Sequence, residues 1–205
     1  MKLTKQTILW TIFALLVIIA GVGIYFFQQN RQIEEIIPEE EISESEEETA
    51  LKERTIDDEF YSTLVPAGWV EATLENSKFL SVVIKPIGDM ESQDINDVAY
   101  DTYYAVNNTA LIEDGLERYV ELLLENLIIQ NPSIEVINQY PSIISERDAI
   151  CLEIASVSNE QDYKTLLVFI DDSEWVWALS FNTPTLSWEE NQNVFDSVLE
   201  SFLIK

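Results

Sequence analysis

Hydrophobic and polar positions recur along this chain with different periods, and each period predicts an element. From Gly115 the run LERYVELLLENLIIQ has helical spacing. Leu116, Tyr119, Val120, Leu123, Leu124, Leu127 and Ile128 share one broad face, and Glu117, Arg118, Glu121 and Glu125 take the other. Asn131–Pro132 ends this helix, because proline cannot continue one. The pattern then shifts to alternation. AICLEIAS (149–156), YKTLLVFI (163–170) and EWVWALSF (174–181) read as strands joined by the turns VSNEQD and Asp171–Asp172–Ser173, which makes them an antiparallel meander. In the last strand Trp175, Trp177, Leu179 and Phe181 fall on one face and Val176, Ala178 and Ser180 on the other. Both faces are apolar or small, so both are expected to be covered.

Weaker patterns flank this block. IEVINQYPSII is strand-like but broken by Pro141, which places it at an edge or a bend. FYSTLVPAGW ends in a Pro66–Ala67–Gly68 turn, and FLSVVIK (79–85) reads as a strand closed by Pro86 and Gly88. Within 89–114, Ile95, Val98, Ala99, Thr102, Tyr103 and Val106 recur at helical spacing with Asp94 as N-cap, so a short helix or an ordered loop is expected there. The chain closes in a helix that carries Trp188, Phe195, Val198, Leu199 and Phe202 inward, with Ser187 and Glu190 spaced as a capping box. The economical assembly is α+β: an α/β/α sandwich with a central antiparallel sheet and a helix on each face.

The longest apolar run, TILWTIFALLVIIAGVGIYFF (7–27), has no charged residue. At about 1.5 Å per residue it reaches roughly 31 Å, the thickness of a bilayer hydrocarbon core. Thr7 opens this predicted transmembrane helix. Trp10 near one end and Tyr25 and Phe27 at the other suit the interfacial aromatic belt. Lys2 and Lys5 precede the run and an acidic stretch follows it. The positive-inside rule therefore puts the N-terminus in the cytoplasm and the bulk of the chain outside a plasma membrane, anchored once through the lipid bilayer. A cleaved signal peptide is the competing reading: Ala20, Gly21 and Gly23 are small enough for a cleavage site, but the apolar run continues past them to Phe27. The expected organisation is anchor 1–27, acidic linker 28–58 and folded domain 59–205.

Charge sharpens this picture. Residues 28–59 hold 13 acidic and 3 basic side chains, and residues 60–205 hold 25 and 6, within a formal net charge of −27. The first stretch lacks aromatic residues and is expected to be a solvated, self-repelling tether. A surface this acidic repels nucleic acid and anionic headgroups and favours cations or basic partners. The chain has no histidine, which removes Ser-His-Asp and Cys-His catalysis from its own repertoire. Its one cysteine, Cys151, lies in a strand pattern and is expected to be a buried small hydrophobe. The glycines are scattered, so no phosphate-binding loop is supported.

Candidate sites are few. Asp89, Glu91, Asp94 and Asp97 cluster as weak metal candidates, without the spacing of an EF-hand. Asp171, Asp172 and Glu174 suit a hairpin tip. Trp69, Trp175, Trp177 and Trp188 fit a ligand platform less well than a core. Asn107–Asn108–Thr109 matches a glycosylation acceptor. No catalytic or cofactor-binding residues stand out.

The order of these elements, with Pro66–Gly68–Trp69 near the start and Phe195 and Ser201–Phe202 at the end, resembles the PsbP-like domains, including DcrB and related anchored proteins, over about 59–205. The resemblance implies an α/β/α sandwich, an extracytoplasmic location and an accessory or binding role without a shared catalytic residue. Some photosynthetic members have metal ligands that include histidine, and that role cannot carry over to a chain without one. The function expected is therefore that of a single-pass anchored accessory protein. It would meet a membrane or envelope protein through protein–protein contact, with no enzyme activity, no cofactor and no nucleic acid. The alternative is a cell-surface module for small molecules or divalent cations that uses the acidic loops.

Overall fold

The computed structural model describes residues 52–72, 79–87, 100–158 and 160–205. The expected span with Thr7, Trp10, Tyr25 and Phe27, and the acidic cluster Asp89, Glu91, Asp94 and Asp97, lie outside these residues. Among the described residues no helix is long and apolar enough to cross a membrane. The elements run β1 (Arg54–Asp57), β2 (Tyr61–Val65), β3 (Val70–Ala72), β4 (Ser81–Pro86), β5 (Tyr100–Ala110), α1 (Gly115–Gln130), β6 (Glu135–Ile144), β7 (Arg147–Ser158), β8 (Gln161–Asp172), β9 (Trp175–Pro184), α2 (Trp188–Ser201) and β10 (Leu203–Ile204). Seven strands form one antiparallel sheet in the order β3-β4-β5-β9-β8-β7-β6, and β1-β2-β10 form a small second sheet. The described residues are mostly β-sheet with two α-helices.

Strict alternation in β7, β8 and β9 sorts the core into two sides. Ala149, Cys151, Leu166, Val168, Ile170, Trp177, Leu179 and Phe181 point to the side covered by α2 and the small sheet. Ile150, Leu152, Ile154, Leu167, Phe169 and Val176 point to the side covered by α1. Near-continuous apolar strands thus arise because both faces are buried. The helical stripe of α1 buries Leu116, Tyr119, Val120, Leu123 and Leu127. Leu124 is only partly covered and Ile128 is 42% exposed, so the buried stripe is narrower than the helical spacing predicts. Pro141 sits in β6, the outermost strand, where its missing N–H costs the ladder least.

Several expectations are corrected. Residues 100–110 are neither helix nor loop but β5, which pairs with β4 and β9 in the middle of the sheet. Tyr104 and Val106 face one core and Ala105 another, so two-sided burial disguised the strand period as a helical one. β1 lies inside the stretch 28–58 assigned to the linker. Arg54 reaches Glu71 at 3.5 Å and Ile56 packs on the core, so ordered pairing starts before Glu59. The capping box at Ser187 does not form: a 3-10 turn over Thr185–Ser187 leads straight into α2, Ser187 makes no side-chain cap bond, and Glu190 turns to Lys85 instead. The chain also does not end in helix, since β10 adds to β2. The β7–β8 and β8–β9 ladders extend further into their turns than the alternation implied, to Ser158↔Gln161 and Asp172↔Trp175.

Candidate functional site

The motif positions Pro66, Gly68, Trp69, Phe195 and Phe202 form one structural unit. The Trp69 N–H donates to the Pro66 carbonyl at 3.0 Å, closing the turn after β2, and Gly68 holds a φ of +79°, where other residues are strained. This turn drops Trp69 edge-on against Phe195, with ring centroids 6.3 Å apart. Phe195 also meets Phe181 at 5.0 Å, and Phe202 meets Tyr61 and Trp177 at 5.9 Å each. Trp69 and Trp177 are buried core residues and not a ligand platform, Trp188 is partly buried, and Trp175 is 45% exposed at the β8–β9 tip.

Beside this core lies a buried polar cluster that the sequence did not reveal. The stripe Trp188, Phe195, Val198 and Phe202 passes through position 191, and Asn191 is only 1% exposed. Its Nδ2 donates to Thr183 Oγ1 at 3.1 Å and to the Ser187 carbonyl at 2.9 Å. Thr183 shares a 2.8 Å hydrogen bond with Thr102. Lys85 Nζ donates to Asn191 Oδ1 at 3.2 Å and to Glu190 Oε1 at 2.6 Å. The hydrogen bond from Lys85, then its charge, holds the Glu190 carboxyl below the ordinary glutamate range. Every member has a partner, so the cluster locks the start of α2 to β4, β5 and β9 and offers no open reactive group.

Other candidates resolve similarly. Asp171 Oδ1 accepts from the Ser173 N–H at 2.8 Å, and Asp172 accepts from Arg147 Nε at 2.7 Å, so turn geometry and an ion pair account for this hairpin tip. Asn107 is buried within β5, an unusual place for a glycosylated side chain in the folded domain. Cys151 is 3% exposed and burial pushes its thiol pKa up, which makes it a poor nucleophile. Among the described residues no three acidic or cysteine side chains converge to hold a metal.

What stays open lies on the α1 side. One helix, about 10–12 Å wide with its side chains, cannot roof seven strands spaced about 4.8 Å apart. α1 packs over β7 and β8, and the outer strand β6 is left at the rim. There the first turn of α1, β6, β7 and the end of β8 enclose a groove of about 450 Å³. Leu116, Pro141, Ile143 and Ile150 give it apolar walls, and Glu117, Asp148 and Asp171 line it with carboxylates. Ile143 is 63% exposed, and Val136 and Ile137 toward the start of β6 and Ile128 and Ile129 at the end of α1 are exposed as well. Pro141 and a bulge between Val136 and Asn138 interrupt this edge, which discourages another strand from zipping along its whole length. Alternation could not have disclosed the groove, because its walls come from four elements.

Comparison with solved structures identifies the architecture. Cyanobacterial PsbP (CyanoP) from Synechocystis sp. PCC 6803 superposes with a TM-score of 0.56 at 14% identity, covering 80% of this chain and 99% of that one. The chain has a PsbP-like fold. LpqN of Mycobacterium tuberculosis, a protein involved in cell envelope biogenesis, superposes at 0.55 with 12% identity, covering 75% of this chain and 91% of that one. A Pseudomonas aeruginosa protein of unknown function, PA94, gives 0.50 at 14% identity, covering 75% and 97%. No family model and no curated protein matches the sequence. The likeness is one of PsbP-like backbone architecture, and at such identities the groove residues belong to this chain's own chemistry.

Proposed function

We propose that this is a single-pass membrane protein whose PsbP-like domain stands outside the membrane and works as an accessory protein through protein–protein contact, without a catalytic role. The apolar run 7–27 is the anchor and the acidic stretch after it is the tether. A flexible chain of that length spans on the order of 30 Å, enough to clear the headgroups without fixing the orientation of the domain. Tethering also raises the concentration of the domain near membrane partners.

The observation that carries the binding half of this reading is the uncovered apolar rim along β6. Ile143, Ile137 and Val136 stay exposed there on a chain otherwise crowded with carboxylates. Cross-linking in intact cells, followed by gentle solubilisation and recovery of the full chain, tests the reading. The expected result is the same membrane or envelope protein in repeated preparations, together with loss of the domain when protease is added outside the cells. Recovery of the chain alone, or protection of the domain from external protease, would overturn it.

A further inference from the structure

The groove at the β6 rim combines two kinds of surface. Leu116, Ile143 and Ile150 give it apolar walls, and Glu117, Asp148 and Asp171 bring carboxylates to the same space. Among the described residues no basic side chain lines it. This is not for want of pairing elsewhere: Arg54, Lys85, Arg118, Arg147, Lys164 and Lys205, all the described basic residues except Lys52, are each held in an ion pair. The nearest along the chain are committed away from the groove. Arg118 binds Glu121 at 2.9 Å, and Arg147 binds Asp172 on the opposite side of the sheet. Asp171 spends one oxygen on the Ser173 N–H, whereas the side-chain carboxylates of Glu117 and Asp148 make no hydrogen bond or ion pair to any described residue. The half-charge at the start of α1 offsets only part of this negative field.

Charge decides among occupants. The stretch 28–51 that precedes β1 carries 9 acidic residues and 1 basic residue, so it is repelled. A second copy would bring an identical acidic groove. An anionic membrane surface is repelled for the same reason. A lysine or arginine side chain fits both surfaces at once, because its methylenes lie on apolar walls while its cation meets carboxylates. The broken edge of β6 favours insertion of such side chains over pairing of a complete strand. We infer that the groove between β6 and the first turn of α1 receives a basic side chain from an extended, apolar-basic segment of the partner protein. The inference rests on the protein-contact reading above and adds the chemistry of the segment that docks.

The test uses the full chain in mild zwitterionic detergent and a short fluorescein-labelled peptide of alternating leucine and lysine. Neutralising the groove with Glu117→Gln and Asp148→Asn is expected to weaken binding about tenfold, the scale of losing well-placed charge contacts. Neutralising two exposed carboxylates of α2, Glu189→Gln with Asp196→Asn, removes the same charge from the other side and is expected to change binding by less than about twofold, as screened surface charges do. Ile143→Ser in the protein, or serine for leucine in the peptide, is expected to weaken binding as well. Equal effects of the two neutralised pairs would overturn the inference, since the attraction would then be the general acidity of the chain. Full binding of the serine–lysine peptide would overturn it too. The two readings fail separately. A membrane partner that is still captured by the groove variants sinks the groove and leaves the accessory role. A peptide held by the groove, with no partner recovered from membranes, does the reverse.

Discussion

The two faces of the large sheet are covered by different means, and the difference locates the open surface. On the α2 side a helix and a three-stranded sheet share the work. Trp69, Trp177, Phe181, Phe195 and Phe202 fill the space between them, and the Asn191 cluster satisfies the polar groups at one end. On the α1 side a single helix packs mainly aliphatic residues, Leu123, Leu152 and Leu167 among them, and leaves the β6 rim uncovered. Aromatic side chains bury more area per residue and close the wide gap between layers. The lesson is that roofing area rather than hydrophobic content decides where a sandwich keeps a face free. β6 is as rich in isoleucine as its neighbours, but nothing among the described residues reaches over it.

This contrast can be broken by substitution. Phe195→Ala empties the centre of the aromatic side and is expected to cost about 3–5 kcal/mol. Urea unfolding of the full chain, followed by tryptophan fluorescence, measures it. A loss under about 1 kcal/mol would mean that the aromatic layer is not the principal core. Leu123→Ala, at the fully buried midpoint of α1, is expected to cost about 2–4 kcal/mol in the same assay. If that variant cost more than Phe195→Ala, the ranking of the two sides would be inverted.

Smaller effects sharpen the picture. Asn191→Leu strands Thr183 and the Ser187 carbonyl without their donor, and is expected to cost about 1–3 kcal/mol. It should also raise the hydrogen-exchange rate of the first turn of α2 while leaving α1 unchanged, and equal acceleration of both helices would show that the cluster does not act locally. Ile143→Ser at the β6 rim is expected to shift stability by no more than about 0.5 kcal/mol, as exposed positions do. A large loss there would mean that the rim is covered by something the open groove does not reveal.

Legibility followed periodicity. α1 could be read from Gly115 to Gln130 because its stripe runs uninterrupted opposite glutamates, and the meander could be read because its turns are short. Pro141 announced an edge and β6 is one. The turn Pro66–Gly68–Trp69 was visible, although its contact with Phe195 lies more than a hundred residues away in the chain. β5 was missed because Thr102, Tyr103 and Val106 satisfy helical spacing as well as alternation when both faces of a strand are buried. Asn191 lay on a predicted inward stripe and passed unnoticed, since a polar residue is not expected where only its hydrogen-bond partners justify it. β10 is two residues long, too short for any period.

The sequence by itself determined the local periods, the acidic surplus, the absence of histidine, and therefore a two-sided antiparallel sheet with helices and no histidine chemistry. Tertiary structure decided which strands are central and which lie at the rim, that a small sheet assists α2, and that Glu117, Asp148 and Asp171 line the same groove as Ile143. The physical reason is range. Helical and strand periods are written in neighbours a few residues apart, whereas coverage of a face depends on pairings such as β5 with β9 and on the finite width of one helix laid across seven strands.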